Sequence, residues 1–134
     1  MFLWPNSYEQ SWTLAKPVFR SGLGLHNGEH SEVHLLPSDK PGFHVSWLGE
    51  ANNPLTLSQN QVRESQLCTT LDLGDRSLAT VEHLLAALAG CALSHVEIKV
   101  SGEEIPLLDG SALGWVEAIA EAGMRSASTP RPPS

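Results

Sequence analysis

Polar and apolar residues alternate from Glu29 to Leu36, placing His30, Glu32 and His34 on one face of a strand and Ser31, Val33 and Leu35 on the other. The same period of two marks His95 to Val100, with Val96, Ile98 and Val100 sharing a side. Strand character also covers Thr13–Arg20, Phe43–Leu48 and Leu67–Leu73. Turn signals separate these runs. Asn27-Gly28, at the end of the glycine-rich stretch Gly22–Gly28, predicts a two-residue hairpin. Pro37 stops the strand after it, and Lys40-Pro41-Gly42, Gly74-Asp75 and Ser101-Gly102 read as turns, with 51–60 a polar loop. After Thr80 the period becomes helical: Val81, Leu84, Leu85 and Leu88 fall on one stripe, with Thr80 as the expected N-cap and Gly90 as the stop. Asp109-Gly110-Ser111 opens a second helix, Ala112–Ala122, which turns Trp115, Val116, Ile119 and Ala120 inward and ends at Gly123. Strands, helix, strand, helix is the order of an α+β fold, a mostly antiparallel sheet with two helices packed on one face.

Composition narrows this to one domain. At 134 residues and 41% hydrophobic, the chain suffices for a single core and no internal repeat is visible. The expected division is an N-terminal extension over residues 1–12, a domain over 13–124, and a Pro/Ser-rich tail over 125–134 with nothing to bury. Fifteen acidic residues against eight basic ones give a net charge of −7, which repels phosphate backbones and argues against nucleic acid as a partner. Cys68 and Cys91 are too few for a disulfide scaffold and suit a reducing compartment. Met1–Asn6 lacks a basic leader, and the apolar run Leu84–Leu93 is too short for a bilayer. A cytoplasmic protein without stable membrane insertion is therefore expected.

Six histidines raise the question of a metal. His26, His30 and His34 are spaced by four, but Asn27-Gly28 breaks any helix there, and on a strand His30 and His34 stand about 13 Å apart, too far to share an ion. Glu82-His83 is different. The pair falls in the first turn of a helix whose stripe is core, and adjacent helical residues diverge by about 100°. A carboxylate beside an imidazole suits a general base next to a metal ligand; a glutamate there also simply favours a helix N-terminus. One histidine does not make a zinc site, which needs about three protein ligands; nothing after His83 supplies an H-x-x-x-H or H-x-x-x-D partner on a credible helix, and H-E-x-x-H is absent.

Four motifs nevertheless come in a fixed order: Gly22-Leu23-Gly24-Leu25-His26-Asn27-Gly28, Leu67-Cys68-Thr69-Thr70, Thr80-Val81-Glu82-His83-Leu84-Leu85, and Glu104-Ile105-Pro106-Leu107-Leu108-Asp109-Gly110-Ser111-Ala112. Together they resemble the N-terminal half of the UDP-3-O-acyl-N-acetylglucosamine deacetylases, zinc-dependent enzymes of lipid A synthesis. The resemblance implies the first of two similar α+β domains with the active site between them. It implies Zn2+ as cofactor, His83 as the zinc ligand of this domain and Glu82 as the residue that activates water for attack on the acetyl amide. Leu67 and Cys68 match a strand edge lining the substrate cleft, although ordinary strand packing would also explain them. His26 matches a histidine of the glycine-rich loop, and Asp109 a position where helix capping is sufficient. The family's other zinc ligands, a further catalytic histidine and a lysine come from the second domain and have no counterpart here. The resemblance thus implies UDP-3-O-acyl-N-acetylglucosamine as substrate, a missing C-terminal domain as partner, and a chain that is inactive alone. The alternative is a non-catalytic domain that binds a separately encoded half.

Overall fold

A computed structural model describes residues 10–50 and 53–132. Most of the expected N-terminal extension, residues 1–9, lies outside the described residues, as do 51–52 of the expected loop and 133–134 of the tail. The chain begins with β1 (Trp12–Leu14), β2 (Val18–Leu23), β3 (His30–Pro37), β4 (Gly42–Trp47) and β5 (Leu55–Thr56). It continues through β6 (Val62–Glu64), β7 (Thr69–Asp72), β8 (Ser77–Ala79) and α1 (Glu82–Gly90), then β9 (His95–Val100), α2 (Leu113–Ala122) and β10 (Met124–Ser126).

Five strands form the main sheet, in the order β2-β3-β9-β4-β5. All pairings are antiparallel except β4 with β9. The alternation expected for β3 and β9 sets its two faces. Val33, Leu35, Val96, Ile98 and Val100 are buried in one cluster with Leu84 and Leu88 of α1 and Trp115 and Ile119 of α2. Each such side chain contributes roughly 1.5–3 kcal/mol by leaving water. On the opposite face His34 pairs across the ladder with Lys99, and Phe19 stacks on the His34 ring at 5.4 Å between centroids. The fold class read from the sequence is the one observed: α+β, mostly antiparallel, with two helices.

Several boundaries differ for physical reasons. The run Thr13–Arg20 divides into β1 and β2 around Pro17, which has no N–H to continue a ladder. The β2–β3 hairpin is real, but it closes through residues 24–29 rather than two, because Leu23 pairs with His30 and the Gly24 amide donates to the Glu29 carbonyl. Thr80 is not a cap. The N-cap is Val81, without a side-chain bond, and Thr80 adopts φ 60° with its hydroxyl turned elsewhere. Four short strands fall in segments that no periodicity marks: β5, inside the expected polar loop 51–60, and β6, β8 and β10.

Residues 124–131 are held against the rest of the fold. β10 pairs with β1, from Trp12 opposite Ser126 to Leu14 opposite Met124. Buried His95 bonds Ser94 Oγ through Nδ1 and Thr129 Oγ1 through Nε2, each at 2.8 Å. Asp39 accepts from Arg125 at 3.1 Å and from the Ser128 amide at 2.8 Å. The Arg125 guanidinium, with the Ser128 amide, holds the Asp39 carboxyl down to about 2, from an ordinary 3.8. Because the folded value is the lower one, this anchor is complete above about 3.8 and is lost as pH falls through about 2. The Ser128 amide resonance, followed by NMR, should therefore move with a midpoint near 2; a midpoint at 3.8 would mean that Asp39 does not anchor the segment.

Candidate active site

The strand-turn-strand β6-β7-β8 is a small separate sheet whose last strand delivers the chain to α1. Its register runs from Val62 opposite Leu71 to Glu64 opposite Thr69, so the β6–β7 turn carries Leu67 and Cys68. Both precede the strand rather than lie on it. The Ser65 hydroxyl accepts from the Leu67 and Cys68 amides at 3.1 and 3.2 Å, which fixes the turn. Leu67 is 74% exposed at its tip, while Cys68 is half-buried with Sγ 3.7 Å from Thr70 Oγ1.

This turn meets the start of α1. The Val81 amide donates to the Thr69 carbonyl at 3.2 Å, and the Thr69 amide donates to Glu82 Oε2 at 3.3 Å. Glu82 is the first residue of α1 and His83 the second, both half-buried. The other oxygen, Glu82 Oε1, is buried and has no hydrogen-bond partner among the described residues. A buried carboxylate oxygen left unbonded costs about 1–3 kcal/mol or more, and such groups persist where they have work to do. The turn that carries Leu67 and Cys68 thus abuts the start of α1 through the bonds between Thr69 and residues 81–82.

A residue whose role the sequence did not reveal stands behind this site. Glu104, 2% exposed, accepts from the His26 amide at 3.1 Å, from the Asn27 amide at 2.9 Å, and from the Thr80 hydroxyl. Its backbone is fixed too: Ala79 bridges to Glu104, the Ile105 amide donates to Ala79 O at 3.0 Å, and Ser31 Oγ donates to the Glu104 carbonyl at 2.8 Å. Burial alone would raise the Glu104 carboxyl, but the Asn27 amide, the Thr80 hydroxyl and the His26 amide outweigh it and hold it below its ordinary value. Gly24 makes room for this arrangement, since a Cβ there would overlap the Glu104 carboxylate and the Asn27 side chain. His26 itself is exposed beside a cleft of about 540 Å³ that Asn27, Arg76, Glu103 and Glu104 also line.

The outer side of α1 is unusual. After His83 the helix has no polar residue, and Ala86, Ala89 and Gly90 are exposed. Leu85 and Ala89 border an apolar groove of about 260 Å³ with Phe43, Leu57, Val62 and Leu71. A helix apolar all round is characteristic of one covered on both sides.

Among the described residues no three of His, Cys, Asp and Glu stand close enough to hold a metal ion. His83 therefore does not complete a metal site from the described residues of this chain.

The family model described as UDP-3-O-acyl N-acetylglycosamine deacetylase matches residues 11–133. Relatives named UDP-3-O-acyl-N-acetylglucosamine deacetylase include that of Trichormus variabilis, 41% identical over 114 residues, which cover 84% of this chain and 41% of that protein. The relative from Oleidesulfovibrio alaskensis is 37% identical over 122 residues, or 89% of this chain and 40% of the relative. That from Acinetobacter baumannii is 30% identical over 121 residues, with 89% and 40% covered. The chain spans about two fifths of the length of the curated relatives it matches.

Proposed function

The chain belongs to the UDP-3-O-acyl-N-acetylglucosamine deacetylase family, and on that premise we propose that it supplies one half of a zinc-dependent amide hydrolase acting on UDP-3-O-acyl-N-acetylglucosamine in the cytoplasm. The observation that carries the proposal is the Glu82-His83 pair at the start of α1, with Glu82 Oε2 tied to the Thr69 amide and Oε1 buried and unbonded. His83 would hold the zinc ion together with ligands from outside the domain. The ion, when bound, supplies a Lewis acid that lowers the pKa of water. Glu82 Oε1 accepts the proton of the attacking water as its oxygen adds to the acetyl carbonyl, while the Thr69 amide keeps the carboxylate oriented. The C–N bond then breaks as that proton passes from Glu82 to the departing nitrogen, releasing acetate and the free sugar amine. Leu67 and Cys68, on the fixed turn beside Glu82, line the substrate cleft.

A second domain of the same protein would cover α1. The exposed Ala86, Ala89 and Gly90 and the groove beside Leu85 support this, as does the share of the relatives' length that the chain spans. In this division residues 13–124 are the catalytic half-domain and 125–134 lead toward the other half.

The test measures acetate release from UDP-3-O-acyl-N-acetylglucosamine. The chain alone should release no more than its His83→Ala variant. Co-expressed with the part of the Trichormus variabilis enzyme that it does not match, it should gain zinc-dependent turnover that His83→Ala abolishes. Turnover by the chain alone above that variant would overturn its incompleteness. Formation of a complex without turnover would favour a non-catalytic binding domain instead.

A further inference from the structure

We propose that Glu104 is a positioning residue for the deacetylation site, a buried clasp that holds the His26 loop with its backbone-amide bonds and the start of α1 with its bond to Thr80. The inference rests on the reading of Glu82 and His83 given above and goes beyond it, because Glu104 touches neither of them.

The geometry of Thr80 is the reason a clasp is needed. A β-branched residue at φ 60° is an outlier that persists only when its surroundings over-determine it. Thr80 is buried, and its hydroxyl donates to the Glu104 carboxylate. One residue further on, the Val81 amide pairs with the Thr69 carbonyl, and Glu82 follows with its own bond from the Thr69 amide. The direction in which Glu82 and His83 leave the sheet is thus fixed by how Thr80 is held.

The same carboxylate takes the His26 and Asn27 amides at 3.1 and 2.9 Å. It is therefore one charged group shared by two segments 54 positions apart in sequence, from His26 to Thr80. Glutamate is the residue the site requires: with two oxygens and full negative charge it satisfies three donors at once, where glutamine would bring hydrogens of its own against them. Its main chain is held by Ala79 and Ser31, so the carboxylate has a rigid base.

The experiment uses the 134-residue chain, with amide shifts and hydrogen exchange read by NMR. Thr80→Val removes the hydroxyl and keeps the branching. It should shift the Thr69, Glu82 and His83 amides while leaving His26 and Asn27 protected to within about twofold, and Thr80→Ser should restore the wild-type shifts. Glu104→Gln should move both arms, lowering His26 and Asn27 protection by about ten- to a hundredfold. Adding Thr80→Gly, which needs no holding at positive φ, should return the Thr69, Glu82 and His83 shifts without restoring the His26 and Asn27 protection. Unchanged Glu82 and His83 amides in Thr80→Val would overturn the proposal. So would a loss of protection in Glu104→Gln that is equal at Val45, Ile98 and Ile119, since that is a general loss of stability. No readout here needs zinc, substrate or a covering domain, so the clasp can fail while the deacetylase reading stands, and the reverse.

Discussion

Glu82→Gln should make the isolated chain more stable and the complemented enzyme nearly inactive. The two halves of this expectation have one origin, the buried oxygen Oε1 that no donor satisfies. In the folded chain that oxygen is buried without a donor among the described residues, which costs about 1–3 kcal/mol or more for a charged group. The opposing effect is smaller: a carboxylate in the first turn of α1 gains roughly 0.3–1 kcal/mol from the helix dipole. Glutamine keeps an acceptor for the Thr69 amide and removes the charge, while its amide nitrogen takes the place of Oε1 with its own hydrogens unbonded, so only the excess cost of the charge is regained and the Tm should rise by roughly 1–3 °C. In the complemented enzyme the amide cannot accept a proton, and kcat should fall by about 10²–10⁴ with KM little changed. Calorimetry of the chain and steady-state kinetics of the complemented enzyme check the two halves separately. A Tm below that of the wild type would mean that Oε1 is satisfied in solution, and the pairing of instability with catalysis would be lost.

The contrast between Glu82 and Glu104 explains what was legible in the sequence. Glu82 announces itself locally, as an acid beside a histidine in the first turn of a well-marked helix. Glu104 lies in a segment without regular structure, and nothing within several residues says that it is buried. Its partners are 77 and 78 positions away on one side and 24 on another, so its role exists only after the chain has folded. The four ordered motifs include Glu104 but do not say what it does. Thr80 misleads for the same reason. A threonine before an apolar helix is read as an N-cap, and only the distant carboxylate diverts its hydroxyl. Long alternating runs such as β3 and β9 were readable because burial on one face repeats at every second residue. The short β5, β6, β8 and β10 were not, since two or three residues are too few to show a period and their positions depend on pairing with β4, β7 and β1. Leu67 and Cys68 were drawn into a strand by their apolar character, whereas the Ser65 hydroxyl organises them as a turn.

Trp115→Ala should be the most destabilising single substitution proposed, at about 3–5 kcal/mol. Trp115 is 1% exposed on the buried side of α2, in the cluster that joins both helices to the sheet. Removing the indole takes away its transfer energy and leaves a cavity between elements that cannot all move inward, because β3, β9 and β4 are tied in one ladder. A domain of this size has roughly 7–20 kcal/mol of stability at the usual value per residue, so the loss is a large fraction of the whole. Leu113, two residues earlier, is the control: it opens α2 but is 56% exposed, and Leu113→Ala should change stability by less than about 0.5 kcal/mol. Urea unfolding separates these outcomes, with the midpoint falling for Trp115→Ala, holding for Leu113→Ala, and the slope unchanged in both. Equal midpoints for the two variants would place Trp115 outside the core. A fall confined to Trp115 would show that the packing of α2 on the sheet runs through its buried side, with exposed contacts such as that of Glu121 with Arg20 adding little.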